Sequence, residues 1–190
     1  MESFLLYGAY GYTGQLIIEE AMAKGLRPVL AGRDPDKLKA LQAQTGLDIL
    51  PLALDQPTAK PMVQACLATG THYLDITGEI TVFEWVKKQN EKAVQANVML
   101  MPGVGFDVVP TDCMALMLKN ELPDATHLHL GFATRGGQLS HGTATTMALG
   151  MGEGGAIRQD HKIIRHPLGK FTRTIVWGNF TRQLMSIPWG

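Results

Sequence analysis

Two rhythms alternate along the first hundred residues. Short apolar-rich runs at residues 4–7, 28–31, 49–54, 72–76 and 98–101 read as strands, and between them apolar positions recur at helical spacing. Residues 12–24 carry Leu16, Ile17 and Ala21 at that spacing, with Gly25 as the stop. Asp34-Pro35 supplies an N-cap and a first-turn proline for a helix that has Leu38 and Leu41 on one face and ends at Gly46. Residues 61–69 form a third helix, with Met62, Val63, Cys66 and Leu67, closed by Gly70. Residues 81–96 give the longest pattern, with Val82, Phe83, Val86, Ala93 and Val94 on one side. Strand–helix alternation of this kind predicts an α/β fold, a parallel sheet wrapped by helices.

The rhythm breaks over residues 102–111, which are rich in glycine. A helix is predicted over 111–122, a half-wet strand over 127–133, a loop at Arg135-Gly136-Gly137 and a helix over 143–151. Residues 162–187 mix turns with short β-like runs such as 174–177. A boundary at this break divides the chain into residues 1–110 and residues 111–190.

Charge and composition narrow the function classes. Lysine plus arginine and aspartate plus glutamate number 17 each in 190 residues, and hydrophobic residues make up 45%. A globular protein is expected, and the neutral balance argues against a nucleic-acid binder. Cys66 and Cys113 are far apart and read as reduced, buried thiols. No basic stretch with a cleavage site precedes the first strand, and no apolar run has membrane-spanning length, so a cytoplasmic protein with no membrane span is expected.

The most informative stretch is Gly8-Ala9-Tyr10-Gly11-Tyr12-Thr13-Gly14, at the seam between the first strand and the first helix. Gly8 permits a sharp turn off the strand, Gly11 removes a side chain where a ligand must come close, and Gly14 lets helix and strand pack tightly. The N–H groups that open the helix then suit a pyrophosphate, with Thr13 able to add a hydroxyl bond. The spacing GxxGxxG is looser than GxGxxG, and glycines at such seams also serve packing alone. The position, in the first βα unit, favours dinucleotide binding on a Rossmann-type doubly wound sheet.

The second strand selects the cofactor. Sites for NAD commonly end this strand with an acid that bonds the ribose hydroxyls. Here the strand ends Ala31-Gly32-Arg33, and a guanidinium suits the 2′-phosphate of NADP. Lys37 either adds charge one turn later or is an ordinary surface cation. Asp55, after the third strand, either faces the adenine amino group or caps the following helix.

Four motifs, GAYGYTG, AGRDPDKL, ACLATGTHYLDITGE and PGVGFDVVPTD, occur in an order and spacing that resemble the saccharopine dehydrogenase-like family of NADP-binding oxidoreductases. The later GGQLSHGTATTMALGMGEGG and SIPWG resemble that family's second domain. The resemblance implies a Rossmann domain over residues 1–110 and a partial α+β substrate and dimerisation domain over 111–190. It assigns Gly8, Gly11, Tyr12, Thr13 and Gly14 to the pyrophosphate turn and Arg33 to the adenosine phosphate. Thr77, Gly78 and Glu79, with Phe106 and Asp107, fall on the nicotinamide side. It implies NADP(H)-dependent hydride transfer to or from a small molecule, an amino-acid-derived imine or an enoyl lipid, and is compatible with a homodimer. Two departures stand out. Only five residues, 56–60, join Asp55 to Pro61, where the family has a further helix, strand and loop. The chain also stops at Gly190, within the family's second domain. The sequence is therefore expected to be an incomplete record of a longer chain.

Asp107 and then Glu79 are the candidates for a polar catalytic role, against the alternative that each carboxylate only shapes a turn. His72 and Tyr73 read as structural. His127 and His129 alternate on a predicted strand without a third ligand, and His141, His161 and His166 fall in predicted loops, so no metal site is expected. No Gly-x-Ser-x-Gly elbow is present. The alternative to an enzyme is a non-catalytic NADP(H)-binding sensor or interaction module.

Overall fold

The computed structural model describes residues 3–54, 58–131, 141–150, 152 and 154–186. The chain divides into two compact units, residues 1–58 with 140–142 and residues 59–139 with 143–190.

The first unit is a βαβαβ series: β1 (Leu5–Tyr7), α1 (Tyr12–Ala23), β2 (Val29–Gly32), α2 (Pro35–Thr45) and β3 (Ile49–Pro51). The strands form a parallel sheet in the order β1-β2-β3. Its core joins Ala9, Ile18, Leu30, Leu38 and Leu47, with Leu6, Tyr10, Leu41 and Ile49 packed around them. Capping follows the sequence signals. The Asp34 carboxylate accepts from the N–H groups of Asp36 and Lys37 at 3.1 and 3.2 Å, and Gly46 closes α2 in the left-handed conformation. The third strand ends at Pro51 rather than 54. β2 ends opposite it at Gly32 and turns away into the cap of α2, so the ladder has no partner beyond the bond from Leu52 N–H to Gly32 O.

The second unit begins with α3 (Ala59–Thr69), β4 (Tyr73–Leu74), α4 (Ile80–Lys87), α5 (Asn90–Ala96), β5 (Leu100–Met101) and α6 (Val109–Glu121). β4 and β5 pair in parallel with each other and form a sheet separate from β1-β2-β3. Val63, Tyr73 and Val86 centre its core. The helix predicted over 81–96 is two helices. The N–H groups of Lys88 and Gln89 bond three residues back, to Trp85 O and Val86 O, which tightens the turn and ends α4 before Asn90 restarts the helix. α6 starts at Val109 rather than 111, with Pro110 in its first turn, where a missing N–H costs nothing.

No strand forms over 127–131, and residues 132–137 of the predicted strand and loop lie outside the described residues. α7 (His141–Gly150) is followed by two antiparallel hairpins, β6 (Gly155–Gln159) with β7 (Lys162–His166), and β8 (Thr172–Trp177) with β9 (Phe180–Met185). Asp160 and His161, both at positive φ, make the two-residue turn of the first hairpin. His166 ends a strand and is buried, contrary to its reading as a loop residue. It lies opposite Gly155 in the ladder, where a β-carbon would come within 2.5 Å of its Cε1, and its ring meets Phe171 edge-on.

Leu38 is fully buried in the first core, so Leu38→Ala is expected to destabilise the first unit by about 2–5 kcal/mol. Denaturant unfolding of parent and variant measures this, and a loss well below that range would mean the helix contributes little to the core.

Candidate dinucleotide site

The local geometry gives each glycine of the turn a different part. Gly8 has φ +81° with open space where a β-carbon would project, so conformation alone demands glycine there. Its N–H and that of Ala9 both donate to Ala31 O, at 2.9 and 3.2 Å, which fastens the turn to the end of β2. Gly14 is a matter of space: a β-carbon would lie 2.5 Å from Gly8 O and 2.7 Å from Ala9 O. Gly11 is the N-cap of α1 in an extended conformation (φ −74°), and a β-carbon would be 3.1 Å from Gly8 O. A side chain at Gly11 would press on the Gly8 carbonyl, which must give by a few tenths of an ångström, and would fill the space in front of the helix.

No side chain caps α1. Its first-turn N–H groups, from Tyr12, Thr13 and Gly14, have no acceptor four residues back, so they and the positive end of the helix dipole face outward. The Tyr12 side chain is 72% exposed beside them. Such a cradle fits an anionic group.

Arg33 stands at the same edge of the sheet. Tyr7 is in register with Ala31, so the glycine turn and the segment Gly32-Arg33-Asp34 leave neighbouring strands side by side. Arg33 is exposed, and among the described residues no carboxylate lies within ion-pair distance of it. Lys37 is more engaged. Its Nζ lies 3.7 Å from the Asp34 carboxylate and 5.5 Å above the Tyr10 ring. Both contacts are exposed and worth little in stability. Asp55 lies outside the described residues.

The carboxylates proposed for chemistry belong to the second unit. Glu79 is the exposed N-cap of α4, and its N–H donates to Thr77 Oγ1 at 3.2 Å. Asp107 is half-buried in the turn before α6, where its backbone carbonyl accepts from the Thr111 hydroxyl at 3.4 Å. Phe106 beside it is 82% exposed. The loops bearing these residues are tied together by Asp75. One carboxylate oxygen accepts from the N–H groups of Thr77 and Gly103 at 3.0 and 2.9 Å, and the other accepts from Tyr73 Oη at 2.6 Å. The Asp75 carbonyl also accepts from Val104 N–H at 2.8 Å. Burial, and then the bond to Asp75, push the Tyr73 hydroxyl well above its ordinary value, so it stays a donor. Burial alone raises Cys66, which is free, as is the exposed Cys113. His72 has the structural part expected of it: its Nδ1 accepts from Met99 N–H at 3.0 Å across the strand pair.

Two residues thus have parts that pattern alone does not define. Asp75 is a loop brace, and its sequence signal is a carboxylate at the end of a predicted strand. Tyr10 also stands out. Its hydroxyl accepts from Asp34 N–H at 3.2 Å, and its ring fills the space that glycine leaves at position 32. Among the described residues no group of three potential metal ligands occurs, and no helix is long and apolar enough to cross a membrane.

No family model matches the chain. Among curated proteins it is similar to a saccharopine dehydrogenase-like oxidoreductase of Rattus norvegicus, at 25% identity over 82% of this chain and 47% of that protein. It is also similar to a trans-acting enoyl reductase of Mycobacterium tuberculosis (strain CDC 1551 / Oshkosh), at 26% identity over 64% of this chain and 37% of that protein. The chain therefore spans about half or less of the length of these relatives. Among solved structures, apo histidine-tagged saccharopine dehydrogenase (L-Glu forming) from Saccharomyces cerevisiae matches 95% of this chain and 48% of its own, with a TM-score of 0.59 and 14% identity, a likeness of fold. The resemblance read from the four motifs agrees with these comparisons: the chain is similar, at modest identity, to saccharopine dehydrogenase-like oxidoreductases and trans-acting enoyl reductases.

Proposed function

We propose that this chain is the cofactor-binding part of an NADP(H)-dependent oxidoreductase, built as a Rossmann-type doubly wound domain over residues 1–110 and part of a substrate and dimerisation domain over 111–190. The observation that carries the reading is one edge of one sheet. The N-terminus of α1, whose cap Gly11 has no side chain, lies beside the guanidinium segment after β2, which makes no ion pair among the described residues. Tyr12, Thr13 and Gly14 hold the pyrophosphate through their N–H groups, and Arg33 takes the 2′-phosphate with a planar fork. Lys37 adds charge from α2.

The dinucleotide supplies or accepts a hydride. What remains for the protein is to orient the substrate and manage one proton. Asp107 is proposed for that proton, with Glu79 as a second polar group. In this reading the substrate is a small molecule, an imine derived from an amino acid or an enoyl lipid, as the family resemblance of the motifs implies. The neutral charge balance supports a partner other than nucleic acid. In this reading the protein works in the cytoplasm as a homodimer.

Dissociation constants for NADPH and NADH test the cofactor assignment. A single charge-assisted fork is worth on the order of ten- to a hundredfold in preference, so the parent is expected to favour NADPH by that factor. Arg33→Asp is expected to reverse the preference, because it repels the 2′-phosphate and offers an acceptor to the ribose hydroxyls. Equal affinities in the parent would refute the assignment.

Gly11→Val is expected to abolish binding of both dinucleotides while the fold stays largely intact, since φ −74° suits any residue and the Gly8 carbonyl has to give only a few tenths of an ångström. Undiminished binding would make the turn a packing device only.

Asp107→Asn is expected to lower kcat while leaving the NADPH dissociation constant unchanged. Turnover equal to the parent's would remove Asp107 from the chemistry.

A further inference from the structure

We propose that Tyr10 is a positioning residue that sets the cofactor preference, by holding the segment Gly32-Arg33-Asp34 against the glycine turn. The inference rests on the NADP(H) reading above and goes a step further, to what holds Arg33 in place.

Arg33 has a long side chain and lies on an exposed connection between β2 and α2. A fork on such a side chain binds a phosphate well only if the backbone beneath it is held, because every freely moving bond loses entropy on binding. Backbone bonds hold the segment up to Gly32, whose carbonyl accepts from Leu52 N–H at 2.8 Å. Beyond Arg33, the Asp34 side chain is committed to capping α2 and to Lys37. The Asp34 N–H is the backbone donor next to Arg33, and it bonds the Tyr10 hydroxyl at 3.2 Å. Tyr10 belongs to the glycine turn itself. Its carbonyl accepts from Gln15 Nε2 at 3.2 Å, which ties it to α1.

The ring supports the bond. A β-carbon on residue 32 would lie 2.5 Å from Tyr10 Cε1 and 3.2 Å from its hydroxyl oxygen, so the missing side chain of Gly32 is what leaves room for the ring to reach Asp34. Lys37 sits over the same ring, 5.5 Å from its centre. One side chain thus joins the turn assigned to the pyrophosphate, the strand end, and the backbone next to the arginine assigned to the 2′-phosphate. The two ends of the adenosine half of the site are set by a common strut.

The test is a double-mutant cycle read on dissociation constants for NADPH and NADH, with unfolding midpoints measured alongside. Tyr10→Phe keeps the ring and removes the acceptor. It is expected to lower the NADPH preference about three- to tenfold, the range of one net hydrogen bond, while NADH affinity stays as in the parent. Gly32→Ala displaces the ring and is expected to lower the preference in the same sense. In an Arg33→Ala background, Tyr10→Phe is expected to change the preference no further, because Tyr10 acts through Arg33. An unchanged preference in Tyr10→Phe overturns the proposal and leaves the cofactor assignment standing. So does a drop that persists without Arg33, which would mean that the hydroxyl meets the phosphate itself. Equal weakening of NADPH and NADH also overturns it, because that is the mark of a merely loosened turn. A parent with no preference for NADPH overturns the cofactor assignment, and the proposal with it.

Discussion

The first unit depends on a contact between backbones. At Gly14 helix α1 meets the carbonyls of Gly8 and Ala9 so closely that one added carbon atom would lie inside their van der Waals surfaces. That approach brings the helix N-terminus down onto the strand end, and the other features follow from it. Gly8 must then turn in the left-handed region, and Gly11 is left as the cap with no side chain to cover the first-turn N–H groups. The N–H groups of Gly8 and Ala9 converge on Ala31 O, so the turn is registered on β2 and not only on β1. A feature that reads as packing therefore also leaves a helix N-terminus whose N–H groups have the chemistry to suit an anion.

The same device, a polar side chain that fastens one loop to the next, appears in each unit. In the first unit the Tyr10 hydroxyl holds the backbone at Asp34. In the second, the Asp75 carboxylate gathers Thr77 N–H, Gly103 N–H and the Tyr73 hydroxyl. Parallel strands as short as β4 and β5 share few ladder bonds, so the loops beyond them need a separate tie. A carboxylate suits the task because it offers several lone pairs to donors that partial burial would otherwise leave unmet. Gly103, at φ +76° and with Phe83 where a β-carbon would go, lets the second loop come close enough to be tied.

The sequence by itself determined the element types in the alternating half, the caps of α2, the parallel pairing within β1-β2-β3, and the place of the glycine turn. These depend on local chemistry: apolar periodicity, a proline in the first turn, an aspartate at the cap, a glycine at a left-handed stop. The tertiary structure decided what depends on partners far along the chain. β3 stops at Pro51 because β2 turns away, residues 81–96 break where the N–H groups of Lys88 and Gln89 bond three residues back, and residues 127–131 form no strand. The two hairpins after α7 could not be paired from pattern alone, since register comes from the facing strand and the turn together. His166 was misread for the same reason, because its burial depends on the absence of a side chain on Gly155, opposite it in the ladder. The site divides along the same line. Glycine spacing and a basic strand end are local signals and were legible, whereas the reach of Tyr10 to Asp34, 24 positions away, and of Asp75 to Gly103, 28 positions away, exists only once the strands lie side by side.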